Sequence, residues 1–315
     1  MDTRFLTDPA AGLLKIFAAA PCDAGKPAGG ERSERRQYLL PASALQQTLV
    51  GLVADFDVVE VDGERVQAHE VAYFDDAGLG AYYARARGRK RRWQVRMRRT
   101  ATAPRCRVDI RLSDAHGLTV RKKLDCAADE FGRLGKPALG QFSRSWRKLF
   151  GELFDARLQL AMTLRWQRIS LLAKARGAAC SERIRIDSAL QFERGDRACR
   201  SSTQMLIVEV ESAAGKGRAD AVLCVAGARL QARCSRYCLG MAALGAVSGY
   251  NRFLPMLRKL GLLPQAAVAA SAPARPVAAE HSAAALASRP ASRLRLAILA
   301  AQAAAASIVG GVAFA

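Results

Sequence analysis

The chain has 315 residues, half of them apolar, and 49 Lys/Arg against 28 Asp/Glu give it a formal net charge of +21. This length allows one large domain or two small ones, and the charge points to a polyanionic partner: nucleic acid, anionic lipid or a phosphate polymer. Only three histidines are present, which excludes a credible Ser/His/Asp triad; eight cysteines without CxxC spacing argue against zinc and disulfides and for free, mostly buried cytosolic thiols.

Residues 1–30 are rich in Ala, Gly and Pro and read as poorly ordered, with a helical turn near 13–19. The apolar stretch 13–20 is broken by Lys15 and makes a poor secretory signal. A first strand is predicted at 32–40, and Pro41 then opens a helix over 42–54. Strands at 58–61 and 66–74 precede a short helix at 78–84. Further strands are expected at 91–100, 105–112 and 118–124, with turn signals between them. A helix with an apolar stripe through Phe142, Trp146 and Leu149 covers 141–159. Strands resume at 161–173, 181–187, 204–211 and 230–236, and helices follow at 238–247 and 252–260.

Charges recur at every second position on five of these strands. Arg96 and Arg98 alternate with Val95 and Met97, and Asp109 and Arg111 with Val108 and Ile110. Arg121 and Lys123 follow; Arg183, Arg185 and Asp187 alternate with Ile184 and Ile186, and Glu209 and Glu211 with Val208 and Val210. Successive strand residues point to opposite faces, so each set lines one face. A wet face that merely solvates is the plain reading. Against it stand the strong bias to arginine and the carboxylates in register among the cations. Residues 85–123 alone hold fifteen Lys/Arg against Asp109 and Asp114. Eight or nine mostly antiparallel strands with peripheral helices suit an α+β fold built on a closed antiparallel barrel around a channel.

Two motifs are set aside. Gly132–Pro137 lacks the spacing of a phosphate-binding loop. The run Arg89–Arg92 beside Trp93 has no nucleic-acid recognition element with it, so no specific nucleic acid is expected. Residues 264–293 read as an Ala/Pro-rich linker, and 294–315 as an apolar helix. The uncharged run 296–315 is long enough to cross a hydrocarbon core, and Arg289, Arg293 and Arg295 would keep its amino side cytoplasmic. The expectation is a cytoplasmic domain with a membrane-anchoring tail at the inner membrane.

Eight segments, in order, resemble the VTC domain, the polyphosphate polymerase domain of the vacuolar transporter chaperone family within the CYTH-like triphosphate tunnel group. They are HEVAYFDDAGLGAYY (69–83), GRKRRWQVRMR (88–98), VDIRL (108–112), LTVRKKL (118–124), LRWQRISL (164–171), ERIRIDSALQF (182–192), LIVEVES (206–212) and SRYCLGMAAL (235–244). The resemblance covers roughly 32–260 and implies a tunnel domain over 31–263 that binds ATP and polyphosphate. It further implies transfer of the γ-phosphate with a divalent metal, Mn or Mg. By motif position, Arg96, Arg98, Arg111, Lys122, Arg168, Arg183 and Arg236 would act on the phosphates. Arg36, Lys123 and Arg185 would bind substrate, and Glu209 would hold the metal. Asp109 and Arg111 stand where the family has Glu and Lys, Arg185 where it has Thr, and Glu211 where it has Lys. These departures keep two alternatives in view: a non-catalytic polyphosphate- or nucleotide-binding module, and a tunnel-fold triphosphatase.

Overall fold

The structure is a computed structural model that describes residues 8–21, 34–100, 105–174, 182–212, 216–232 and 234–263. These residues belong to one compact unit, Met1–Val268. The expected linker and apolar tail, 264–315, lie outside the described residues.

The strands are β1 (Ala19–Ala20), β2 (Glu34–Pro41), β3 (Phe56–Val59), β4 (Val66–Asp75), β5 (Arg92–Thr100), β6 (Arg105–Ser113), β7 (Thr119–Ala127), β8 (Gln159–Ala173), β9 (Arg183–Arg194), β10 (Arg197–Arg200), β11 (Met205–Ser212) and β12 (Arg229–Gln231). The helices are α1 (Asp8–Ile16), α2 (Leu45–Leu52), α3 (Gly80–Ala86), α4 (Lys136–Phe150), α5 (Arg218–Val225), α6 (Arg236–Ala243) and α7 (Leu254–Lys259). One sheet runs β12-β2-β11-β9-β8-β4-β5-β6-β7, with β3 also on β8, β10 on β9, and β1 parallel to β3.

The closed barrel is not formed. Among the described residues β7 and β12 are the two ends of the strand order and do not pair. The reason lies in the end strands. β12 reaches β2 through only three residues. Arg121, Lys122 and Lys123 stand exposed in the middle of β7, and a run of charge along an edge strand discourages further pairing. Residues 8–21, read as poorly ordered, instead join the core: Ala10, Leu14 and Phe17 are buried against α2 and β2. Among the described residues no helix is long and apolar enough to cross a membrane.

Each sheet face has its own cover. On the back face, Leu40, Ile169, Leu171, Ile184, Ile186, Val208 and Val210 pack under α1, α2 and α5. At its other end Val95, Met97, Val108 and Ile110 pack under α4, whose Ala138, Phe142 and Trp146 recur at helical spacing. Gly151, at φ 74°, stops α4 well short of the predicted end.

The front face divides along the strand direction. One half is apolar: Leu39, Val71, Tyr73, Leu164, Trp166, Leu190, Phe192 and Ile207 close under α6 and α7. Gly240 makes this possible, because a Cβ there would lie 2.3 Å from the Phe192 ring. The Asp75 carboxylate locks the same corner. It accepts from the backbone N–H of Ala81 (2.9 Å) and Tyr82 (3.0 Å) at the start of α3 and from the Tyr237 hydroxyl of α6 (2.7 Å). The other half of the front face is charged.

Candidate functional site

Register decides which charges share this half. Glu209 lies opposite Gln37 and Arg185, and Glu211 opposite Arg35 and Arg183. Arg168 lies opposite Asp187 and Gln67. Beyond β4, Arg98 faces Val71 and Arg107, Arg96 faces Asp109, Asp109 faces Lys123, and Arg111 faces Gln94 and Arg121. Directly opposed residues in an antiparallel pair point the same way. The structure therefore brings Arg96, Arg98, Arg111, Lys123, Arg168, Arg183, Arg185 and Glu209 onto one face. Arg236, the first residue of α6, returns to it from the apolar end.

Two of the expected residues are not in this group. Arg36 pairs in register with Val210, on the back face, where its Nε and Nη2 donate to Asp220 of α5 at 2.7 and 2.8 Å. Tyr38 also donates to Asp220. Lys122 lies opposite Ile110 and is exposed on the α4 side. Each has a neighbour one position away, Arg35 or Lys123, that does face the front.

Asp187, placed on the charged face by alternation but given no role among the expected site residues, is the hub. It is fully buried and accepts from Arg168 Nε at 2.6 Å, Arg168 Nη2 at 2.9 Å, Trp166 Nε1 at 3.1 Å and Arg236 Nη2. Arg236 Nη2 also donates to Glu209 Oε1 at 3.0 Å. Burial alone would raise the Asp187 pKa, but Arg168 and Arg236 outweigh it and hold the carboxyl below its usual range. Arg236 is the reverse case: burial pulls it down, and Asp187 and Glu209 carry it above its ordinary value. A β-bulge builds the hub. Ala189 has a φ of +50°, which puts Leu190 and Phe192 on the same face as Asp187.

Around the hub, cations crowd one another. Burial, then Arg168, lowers the Arg185 pKa; burial, then Arg96, lowers that of Arg98; burial lowers that of Arg183. Glu211 answers Arg185 at 3.0 Å and Arg35 at 2.7 Å. Asp109 answers Arg96 at 3.1 Å and Arg98 at 2.7 Å. His69 sits between the two sets, stacked on Trp166 at 5.2 Å. Burial, helped by Arg168, pushes its pKa down to about 3, so it adds no charge.

A divalent cation would have to rely on few protein ligands here. Among the described residues no group of three His, Cys, Asp or Glu side chains could hold one. Glu209 keeps Oε2 without a hydrogen bond among the described residues, beside the arginines. One carboxylate oxygen completed by phosphate oxygens is an arrangement Mg²⁺ accepts.

The family model of the VTC domain matches residues 32–245. The chain belongs to the VTC domain family. A comparison with curated proteins gives no match. Among solved structures, a candidate adenylate cyclase from Bacillus halodurans is similar at 11% identity and a TM-score of 0.39, over 65% of this chain and 95% of that one. A candidate adenylyl cyclase from Hippeastrum, described as having a dominant triphosphatase activity, is similar at 14% identity and a TM-score of 0.38, over 66% of this chain and 94% of that one. The PH1819 protein of Pyrococcus horikoshii follows at 10% and 0.31, over 64% and 95%.

Proposed function

We propose that this VTC domain binds ATP and polyphosphate along the charged half of its front face and transfers the γ-phosphate onto a growing chain. The observation that carries the reading is the shortage of carboxylates on this half: Arg96 and Arg98 share Asp109, Arg35 and Arg185 share Glu211, and Arg168 and Arg236 share Asp187. Arginine forks match phosphate oxygens two at a time. Phosphoryl transfer needs positioning and charge neutralisation more than covalent chemistry.

In this reading Arg168 and Arg236, fixed by Asp187, meet the reacting phosphates. Arg96, Arg98, Arg111 and Lys123 carry the rest of the polyanion, and Arg183 and Arg185 flank it. Glu209 would hold Mg²⁺ or Mn²⁺, which supplies neutralising charge to the phosphate oxygens. The tail at 294–315, if it anchors the chain, would place this domain at the cytoplasmic membrane surface.

The test is incubation of the purified chain with ATP and Mn²⁺, followed by detection of polymer. Polymer lost in Glu209→Ala and Arg168→Ala is the expected result. A second reading, binding without turnover, is favoured by Glu211, which already neutralises Arg35 and Arg185. It predicts salt-sensitive polyphosphate binding with no product. Phosphate released from tripolyphosphate without chain growth would instead support a triphosphatase.

A further inference from the structure

We propose that Cys106 and Cys126 form a redox-modification site, a cross-strand dithiol that a small disulfide oxidises to a bridge fastening β7 to β6. The two residues are directly opposed in the β6–β7 register. Each thiol is near enough to shift the other's pKa, and the Cys106 Sγ donates to the Ala128 carbonyl at 3.7 Å. Opposed residues on antiparallel strands have Cβ atoms about 4.5–5.5 Å apart, close to the roughly 3.5–4.5 Å that a disulfide requires. Of the six described cysteines, these are the ones that face each other across neighbouring strands.

The position has a consequence. Among the described residues β7 ends the strand order and pairs with β6 alone. Its back face holds on through Val120, Leu124 and Cys126, all only partly buried. Its front face carries Arg121 and Lys123. A covalent link on the back would therefore steady the strand whose front extends the row of cations.

The chemistry balances. The Cys126 thiolate, the more exposed of the two, attacks one sulfur of the small disulfide and releases the first thiol. The Cys106 sulfur then attacks the mixed disulfide and releases the second. Two electrons pass from the pair to the oxidant, and the two protons leave with the released thiols. Neither thiol is activated. Burial raises both, Cys126 to about 11, with Cys106, Glu130 and Asp125 adding to it; Arg99 and the Cys126 thiol pull Cys106 the other way without offsetting burial. Exchange is thus slow at neutral pH and quickens as the pH rises.

The experiment equilibrates the folded full chain with oxidised and reduced glutathione at mildly alkaline pH. Peptides are then mapped without reduction, and β7 amide exchange is followed. The expected result is a Cys106–Cys126 cross-linked peptide, absent in Cys126→Ser, with β7 amides exchanging about tenfold or more slowly in the bridged form. Cys224 is exposed and reports that the oxidant has reached the protein. The proposal is overturned if Cys224 is fully glutathionylated while Cys106 and Cys126 remain alkylatable thiols. A bridge that forms only in denaturant, or that leaves β7 exchange unchanged, overturns it equally.

Discussion

Two arginine–carboxylate knots lie on opposite faces of the same sheet, and they differ in what surrounds them. On the back face Arg36 meets Asp220, with Glu34 at 3.1 Å and Ser212 at 2.8 Å completing its fork. The Asp220 hydrogen bond raises its pKa despite burial, so this guanidinium is saturated. On the front face one carboxylate, Asp187, serves two guanidiniums, and more cations stand around it. The first arrangement is a fastener between β2 and α5. The second is short of negative charge, the state in which an arginine cluster takes an anion. Burial and an ion pair are common to both, so only the local balance of charge separates structure from site.

The largest effect expected from breaking this comparison is that of Asp187→Ala. Removing it strips Arg168 of its carboxylate and leaves Arg236 with Glu209 alone, both guanidiniums being largely out of water, which should cost about 3–5 kcal/mol of unfolding free energy in a denaturant titration. Tripolyphosphate should restore much of that loss, since it supplies the missing charge. Asp220→Ala is the matched control. It should cost less, about 2–3 kcal/mol, because Arg36 keeps Glu34 and Ser212. Tripolyphosphate should not rescue it, and polyphosphate affinity should stay within about twofold. Equal rescue of both variants would erase the distinction between the knots.

A smaller effect is set by pH. His69 is neutral in the folded chain down to about pH 3, whereas an unfolded histidine takes its proton near 6.5. Its folded pKa is depressed, so its contribution is fully present above about 6.5 and falls as pH drops from there toward 3. The slope should approach about 1.4 kcal/mol of lost stability per pH unit in the lower part of that window. His69→Phe, which keeps a ring against Trp166, should flatten it. An unchanged slope would mean that His69 is not held half-buried between Arg168 and Arg98.

Strand alternation made much of the charged face legible, because period two assigns a side without knowledge of the partner strand. It placed Arg96 with Arg98, and Arg183 with Arg185 and Asp187. It failed where two charges are adjacent, since Arg35-Arg36 and Lys122-Lys123 each offer both phases and only the register chooses. It also failed at Ala189. The bulge there shifts Leu190 and Phe192 onto the Asp187 face, so the charge alternation stops at 187 while β9 runs on to Arg194. Helix α5 follows a Gly/Lys-rich stretch and carries only Ala219, Asp220 and Leu223 inward, too weak a stripe to read. Whether the sheet closes is a property of its first and last strands together, and no local pattern contains it.

The adjacent lysines of β7 give the finest test of face assignment. Lys123 lies opposite Asp109, which answers Arg96 and Arg98, whereas Lys122 lies opposite Ile110 on the other side of the same strand. Both are exposed, have the same chemistry and stand one residue apart, so neither substitution should move stability by more than about 0.5 kcal/mol. Their effect on polyphosphate binding should nevertheless differ. Each neutralised phosphate contributes about one counterion to the salt dependence. Lys123→Ala should therefore lower the slope of log affinity against log salt by roughly one, and Lys122→Ala should leave it unchanged. A reversed result would put β7 in the other phase. That shift would carry Arg121 off the front face and turn Cys126 away from Cys106, so the same salt titration also bears on whether the dithiol exists.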